Sequence, residues 1–307
     1  MKYFLAIIVL LFIGCGSPDI PEWYTNHPQD NAKYIYSASE GMSKEDALNN
    51  ALSLAASRVS VTVNSTFSTS KEYVQTDDKF SNFRQLSRQT TSKINNISFS
   101  DYSVLKMSHD DDSNKYYVLI RVDKVKNAKL YYSKAKSTVE EVKGALNVTD
   151  RVTVFKTYPK LIKKINKAIY NLYIVKSLYP VEGVDELIKE AEDIKKELVK
   201  KYSSISMRIV TRYRELKKIL SQVFSQLNIP LSSKGIRVSG KIHTTHKRVG
   251  MYYITIKDVN VIFRDKTYFQ LNVTCGGKSV DSYTTADSFA RKRCVEKIKT
   301  AIEKLAD

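Results

Sequence analysis

Tyr34-Ile35-Tyr36-Ser37-Ala38-Ser39-Glu40-Gly41-Met42-Ser43-Lys44-Glu45-Asp46-Ala47 is the stretch from which the fold class can be read. Its first five residues have the aromatic and β-branched character of a strand, and Gly41 supplies a turn. Ser43 is placed to cap a helix, with Glu45 and Asp46 in the first turn, where carboxylates favour the helix dipole. Leu48, Leu52, Ala55 and Val59 then recur at helical spacing and predict one buried stripe. At Val59, Val61 and Val63 the spacing changes to alternation, which predicts a return to strand. Strand, turn and helix in this order, with more strand to follow, mark an α+β fold.

Beyond this stretch, Ser65 to Ile97 is polar, with Tyr73, Phe80, Phe83 and Leu86 as its anchors. It reads as a long loop or edge segment containing a helix. A hairpin follows: Tyr102 to Met107, a turn rich in Asp110, Asp111, Asp112 and Asn114, then Tyr116, Val118, Ile120 and Val122 alternating on one face. These elements predict a first α+β domain over residues 30–125.

Residues 126–203 change to helical periods. Val139, Val142 and Leu146 form one stripe, and Leu161, Ile162, Ile165, Ile169, Leu172 and Tyr173 a second. Leu187, Ala191, Ile194 and Leu198 form a third after the breaker Tyr179-Pro180-Val181-Glu182-Gly183. Residues 204–307 return to α+β: a strand at Met207–Val210, a helix carrying Leu216, Ile219, Leu220, Val223, Phe224 and Leu227, and three strands around 236–244, 252–263 and 268–275. Gly276-Gly277-Lys278 reads as a turn, and Thr285 as the cap of a last helix with Ala290, Cys294, Ile298, Ala301 and Leu305 on its apolar face. The expected architecture is two small α+β domains joined by a helical arm or bundle.

At the N-terminus, Lys2 precedes an apolar run from Phe4 to Ile13 that closes on Gly14 and Cys15. One positive charge ahead of a short hydrophobic core is the pattern of an export signal. A permanent span needs roughly 20 apolar residues. Phe12-Ile13-Gly14-Cys15 resembles the lipobox read by lipoprotein signal peptidase, with Phe12 where Leu is usual. The expectation is a signal peptide over residues 1–14, acylation of Cys15, and a lipidated tether over 15–29 that contains Pro18, Pro21 and Pro28. Two or more acyl chains, palmitate among them, would hold such a protein stably to a bilayer. Gly16 is not the Asp that marks retention at the inner membrane, which points to the outer membrane.

The chain carries 50 Lys and Arg against 32 Asp and Glu; loss of Lys2 with the signal leaves 49 against 32, a mature charge near +17. Such a surface favours anionic neighbours, among them headgroups, lipopolysaccharide and cell-wall polymer, and export excludes nucleic acid as a partner. The basic residues are spread along helices without interleaved aromatics, as on solvated faces. With Cys15 acylated, Cys275 and Cys294 remain as an even pair. An oxidising compartment permits a disulfide, worth ~3 kcal/mol in the chain-entropy model; two buried reduced thiols are the alternative.

No catalytic constellation stands out, and no cofactor or metal is expected. His243 and His246 point to opposite faces of a strand. His109 beside Asp110, Asp111 and Asp112 lacks the glycine and terminal Glu of a calcium loop. Gly276-Gly277-Lys278 lacks the spacing of a phosphate loop, and no serine lies in a Gly-x-Ser-x-Gly elbow.

Pro21-Glu22-Trp23-Tyr24 with Asn26 and Pro28, then Tyr34-Ile35-Tyr36-Ser37-Ala38, then Lys44-Glu45-Asp46-Ala47 leading into Ala51, Leu52 and Ala55, resembles the Lpp-twenty family of bacterial surface lipoproteins. Tyr116 to Asp123 is similar to that family's terminal strand, so the resemblance covers about Pro21 to Lys126. It implies an outer-membrane lipoprotein without enzymatic activity, related to flagellar accessory proteins and surface antigens. It also implies that Pro21, Trp23, Tyr24 and Gly41 serve the fold. The expected function is therefore a membrane-anchored binding or scaffolding module, in flagellar or outer-membrane assembly, whose partners are envelope proteins or copies of itself. The alternative is a basic surface module that binds lipopolysaccharide or peptidoglycan.

Overall fold

The computed structural model describes residues 20–72 and 97–306, the side chains between 65 and 72 excepted. Its contacts divide the chain into two compact units, one holding 20–70, 97–133 and 171–184, the other 71–72, 134–170 and 185–306. Both combine helices with a sheet, so the fold class is α+β as the sequence predicts.

In the first unit a short helix α1 (Glu22–Thr25) precedes β1 (Tyr34–Gly41), α2 (Lys44–Glu72), β2 (Tyr102–Asp110) and β3 (Lys115–Asp123). The strands are antiparallel in the order β1-β3-β2. Ile35, Ser37 and Ser39 face the same side as their partners Val122, Ile120 and Val118, and all six are buried. Ser43 caps α2 by accepting from the Asp46 amide at 3.1 Å. At Gly41 a side chain would collide with the amide of Ala47, so glycine lets the helix start fold down on the strand end.

Two hydrogen bonds fix the direction of α2. Asn50 donates to the Glu40 carbonyl at 2.9 Å and Arg58 to the Tyr36 carbonyl at 2.8 Å. Eight helical residues rise about 12 Å and four strand residues about 13 Å, so α2 runs back alongside β1. The strand expected at Val59–Val63 is corrected: the helix continues through Glu72. Ala47, Ala51, Ala55, Val59 and Val63 are buried at a spacing of four, whereas Val61 is 72% exposed. The alternating valines therefore belong to a helical stripe, and that stripe lies on the alanines while Leu48 and Leu52 are only half-buried. The expected loop or edge segment from Ser65 to Ile97 falls largely outside the described residues.

The hairpin β2–β3 forms with its turn at Asp110–Asn114. β3 is buried on both faces, Tyr117, Val118, Leu119, Ile120 and Val122 all being inside, because it is the central strand. The alternation read from Tyr116 to Val122 thus describes one face only. Tyr24 of α1 packs edge-on against Tyr117 of the other face, ring centroids 4.9 Å apart.

Helices α3 (Lys124–Gly144) and α4 (Arg151–Leu178) are each divided between the units, and α5 (Val184–Ser203) belongs to the second except for its first residue. The second unit continues with β4 (Met207–Ile209), α6 (Arg214–Gln226), β5 (Ile236–Val249), β6 (Tyr252–Arg264), β7 (Tyr268–Ser279) and α7 (Tyr283–Glu303). Its sheet runs β4-β5-β6-β7, parallel between β4 and β5 and antiparallel elsewhere. Val259, Val261 and Phe263 of β6 point inward. Against this face lie Leu216, Leu220 and Phe224 of α6 and Ala290, Cys294 and Ile298 of α7. Phe155 of α4 stacks on Phe263 at 5.7 Å and on Phe269 at 6.2 Å, which ties the helices to the sheet. Two local expectations are corrected here. Ser282, accepting from the Thr285 amide, caps α7 in place of Thr285, and Gly276-Gly277-Lys278 is strand because β7 extends to Ser279. A side chain at Gly277 would strike the Ala286 carbonyl and Ala290 amide, so glycine permits α7 to rest directly on β7.

Asp150 locks α4 to the β6–β7 turn. Its carboxylate accepts from the Thr153 amide at 2.8 Å and hydroxyl at 2.6 Å, from the Lys266 and Thr267 amides at 3.0 and 3.2 Å, and from the Thr267 hydroxyl. Next to it, the Arg151 guanidinium forks Asp265 at 3.0 and 2.7 Å. Burial alone would raise the Asp150 pKa, but the hydrogen bonds outweigh it and hold the group well below the usual carboxylate range. A carboxylate so depressed adds stability above its unfolded value of about 3.9, and that stability is lost as pH falls toward the folded value. We expect Asp150→Asn to cost about 1–3 kcal/mol at neutral pH. Urea midpoints measured below about pH 4 should fall less steeply for the variant than for the parent.

Candidate functional site

Cys15, the expected acylation site, lies outside the described residues. Cys275 on β7 and Cys294 on α7 are both buried, their Cα atoms 5.2 Å apart and their sulfurs in bonding distance. His243 and His246 occupy opposite faces of β5, paired in register with Asp258 and Thr255. The His246 ring meets the Thr255 hydroxyl at 3.1 Å and the Tyr283 ring at 5.0 Å. His109 contacts Asp111 at 2.7 Å, and Asp110 turns inward to accept from the Asp112 amide and the Ser113 hydroxyl of its own turn. Among the described residues no cluster of His, Cys, Asp and Glu is grouped to hold a metal ion.

The most concentrated charge lies inside the second unit, around Lys257 of β6, which is 1% exposed. Its ammonium reaches Glu215 of α6 at 2.8 Å, Asp287 of α7 at 2.5 Å and the Thr244 hydroxyl at 3.3 Å. Both carboxylates thus lie within ion-pair distance of the ammonium, which also donates to the Thr244 hydroxyl. Arg291, one turn after Asp287, adds a second cation at 3.1 Å, and two positive charges balance two carboxylates. The cluster pins both helices to the sheet. The sequence reading missed it, although strand parity with Val259, Val261 and Phe263 already turns Lys257 inward.

On the first unit, the outer edge of β2 has no strand beside it among the described residues. Tyr102, Val104, Leu105 and Met107 are 37–43% exposed there. Tyr102, Val104 and Met107 share a face with Val122, Ile120 and Val118, so the apolar sheet continues past the part that is covered. The register shifts between Val104 and Lys106, which makes Leu105 a bulge on this edge. Together these features form an exposed apolar shelf beside an unpaired strand edge.

The buried cluster makes a quantitative expectation. Lys257→Met leaves Glu215 and Asp287 with only the half-exposed Arg291 as a cation and should cost about 1–3 kcal/mol in urea unfolding. Arg291→Met, at the exposed rim of the cluster, should cost under about 1 kcal/mol. Equal losses for the two variants would refute the assignment of Lys257 as the centre.

No curated protein sequence matches the chain. The fold is similar to the crystal structure of the secreted protein HP1454 from the human pathogen Helicobacter pylori, with a TM-score of 0.52 at 13% identity over 89% of this chain and 97% of that one. A candidate lipoprotein from Caulobacter crescentus CB15 matches 33% of this chain and 87% of its own at 12% identity, with a TM-score of 0.26. The N-terminal part of the chain, residues 21–123, from the Trp23-Tyr24 helix through β3, matches the model of the LPP20 lipoprotein family.

Proposed function

We propose that this protein is an outer-membrane lipoprotein, held by acyl chains on Cys15, that works by binding a protein partner rather than by catalysis. The observation that carries this reading is the LPP20 lipoprotein match over residues 21–123, in a chain that opens with export-signal and lipobox grammar. In the oxidising space outside the cytoplasm the Cys275–Cys294 pair forms a disulfide that joins β7 to α7. No helix among the described residues is long and apolar enough to cross a membrane.

The binding surface is the edge of β2. An unpaired strand edge offers a row of backbone donors and acceptors, and an extended segment of a neighbouring envelope protein can complete it. Tyr102, Val104 and Met107 supply the apolar contacts that select the partner, and the bulge at Leu105 limits the length that can pair. Such a contact suits a scaffold in outer-membrane or flagellar assembly.

A photocrosslinking residue at Lys106 in intact cells should give a discrete higher-mass adduct. The double variant Val104→Asp, Met107→Asp should lose that adduct while keeping its urea midpoint and its membrane fractionation. An adduct undiminished by the double variant, or no adduct at all, would overturn the assignment of β2.

A further inference from the structure

The open face of the second sheet carries an arrangement that folding alone does not favour. Arg208 of β4 is in register with Arg237 of β5, and Arg237 with Arg264 of β6. Partners in register share a face, so three guanidinium groups stand in one row across three adjacent strands, roughly 4.8 Å from strand to strand. Their neighbours Met207, Ile236, Val238 and Phe263 turn inward, and all three arginines are exposed on the opposite side. None of the three has a carboxylate partner among the described residues. Asp265, the acid nearest in sequence, is already forked by Arg151.

Like charges directly opposite on neighbouring strands are destabilising. Three in a row, unrelieved by an acid, concentrate positive charge on one face of the sheet. The field extends further along the same face. Lys241 follows Arg237 by four residues, and the Tyr213 hydroxyl has its pKa lowered by the hydrogen bond from Arg212 and by the charges of Arg212 and Lys241. Ser239 and Gln270 stand one row in, able to donate, and Arg264 lies over the Tyr268 ring at 5.6 Å, which orients it.

We infer that the Arg208–Arg237–Arg264 row is a binding site for a phosphate-bearing ligand. Planar guanidinium forks match phosphate oxygens two at a time, and adjacent forks on a rigid sheet address several oxygens together. Arg237, in the middle, contacts the ligand from between its two neighbours. The site stands on the register of this sheet and does not depend on the β2 edge or on acylation.

Binding of the purified protein to inorganic pyrophosphate, and separately to vesicles of phosphatidylglycerol in phosphatidylcholine against phosphatidylcholine alone, tests the inference. Arg237→Ala should weaken binding by about tenfold or more. Arg237→Lys, which keeps the charge and loses the fork, should also weaken it. Lys136→Ala, on an exposed turn of α3 far along the chain, should leave it unchanged. Without ligand, Arg237→Ala should not lower the unfolding midpoint, because the substitution removes repulsion rather than packing. Arg237-dependent binding to pyrophosphate alone assigns the site to a soluble phosphate compound, and Arg237-dependent binding to the anionic vesicles assigns it to lipid headgroups; each supports the site. Binding to neither probe, or equal weakening by Lys136→Ala and Arg237→Ala, would overturn it.

Discussion

A central strand has to be covered, and both units are organised by how far this is achieved. In the first, β3 has strands on both sides and apolar residues on both faces, so its burial requires two covers. The alanine stripe of α2 supplies one and Tyr24 packs on the other. Among the described residues, what remains available is the outer edge of β2, since Asn50 and Arg58 meet carbonyls of β1. In the second unit, α6 and α7 cover one face of β6, and among the described residues the other stays open to solvent. What remains available there is a face. The two candidate surfaces, one apolar and one cationic, are the parts of each sheet that the helices leave uncovered.

Inside the second unit, the covering helices are fixed by polar ties as well as by apolar packing. Gly277 brings α7 into direct contact with β7, the Cys275–Cys294 pair bridges the same two elements, and Lys257 draws Glu215 and Asp287 onto the strand between them. The Lys257 contacts join residues 42 and 30 positions apart in the chain. At the far end, Asp150 and Arg151 clamp the start of α4 to the β6–β7 turn. The aromatic stack of Phe155, Phe263 and Phe269 fills the space between.

The elements that rest on local periodicity were legible in the sequence. The hairpin of β2 and β3, the long helices between 126 and 203 and the apolar faces of α6 and α7 all follow from spacing alone. Where two periods fit the same residues, spacing misled. Val59, Val61 and Val63 alternate like a strand, but Val59 and Val63 also extend a spacing of four from Ala47, and burial of small residues against a sheet decides for helix. Gly276-Gly277-Lys278 has the composition of a turn, and only the close approach of α7 explains why glycine stands in a strand. The candidate surfaces were the least legible. Arg208, Arg237 and Arg264 are spread over three strands, and no inspection of composition places them in one row before the register of β4, β5 and β6 is known. Lys257 could have been found by strand parity, whereas its partners on α6 and α7 could not.

On the proposed reading, anchoring at Cys15 would give these surfaces their setting: a mature chain fixed at its N-terminus to a lipid sheet would present an apolar edge and a cationic face to neighbouring envelope components. The measurement that tests this most directly is the intact mass of the protein extracted from cell membranes. The account predicts a chain that begins at Cys15, with residues 1–14 removed and acyl chains added to the cysteine. A mass equal to the unprocessed chain, or to a chain cut at the same place without acylation, would contradict it.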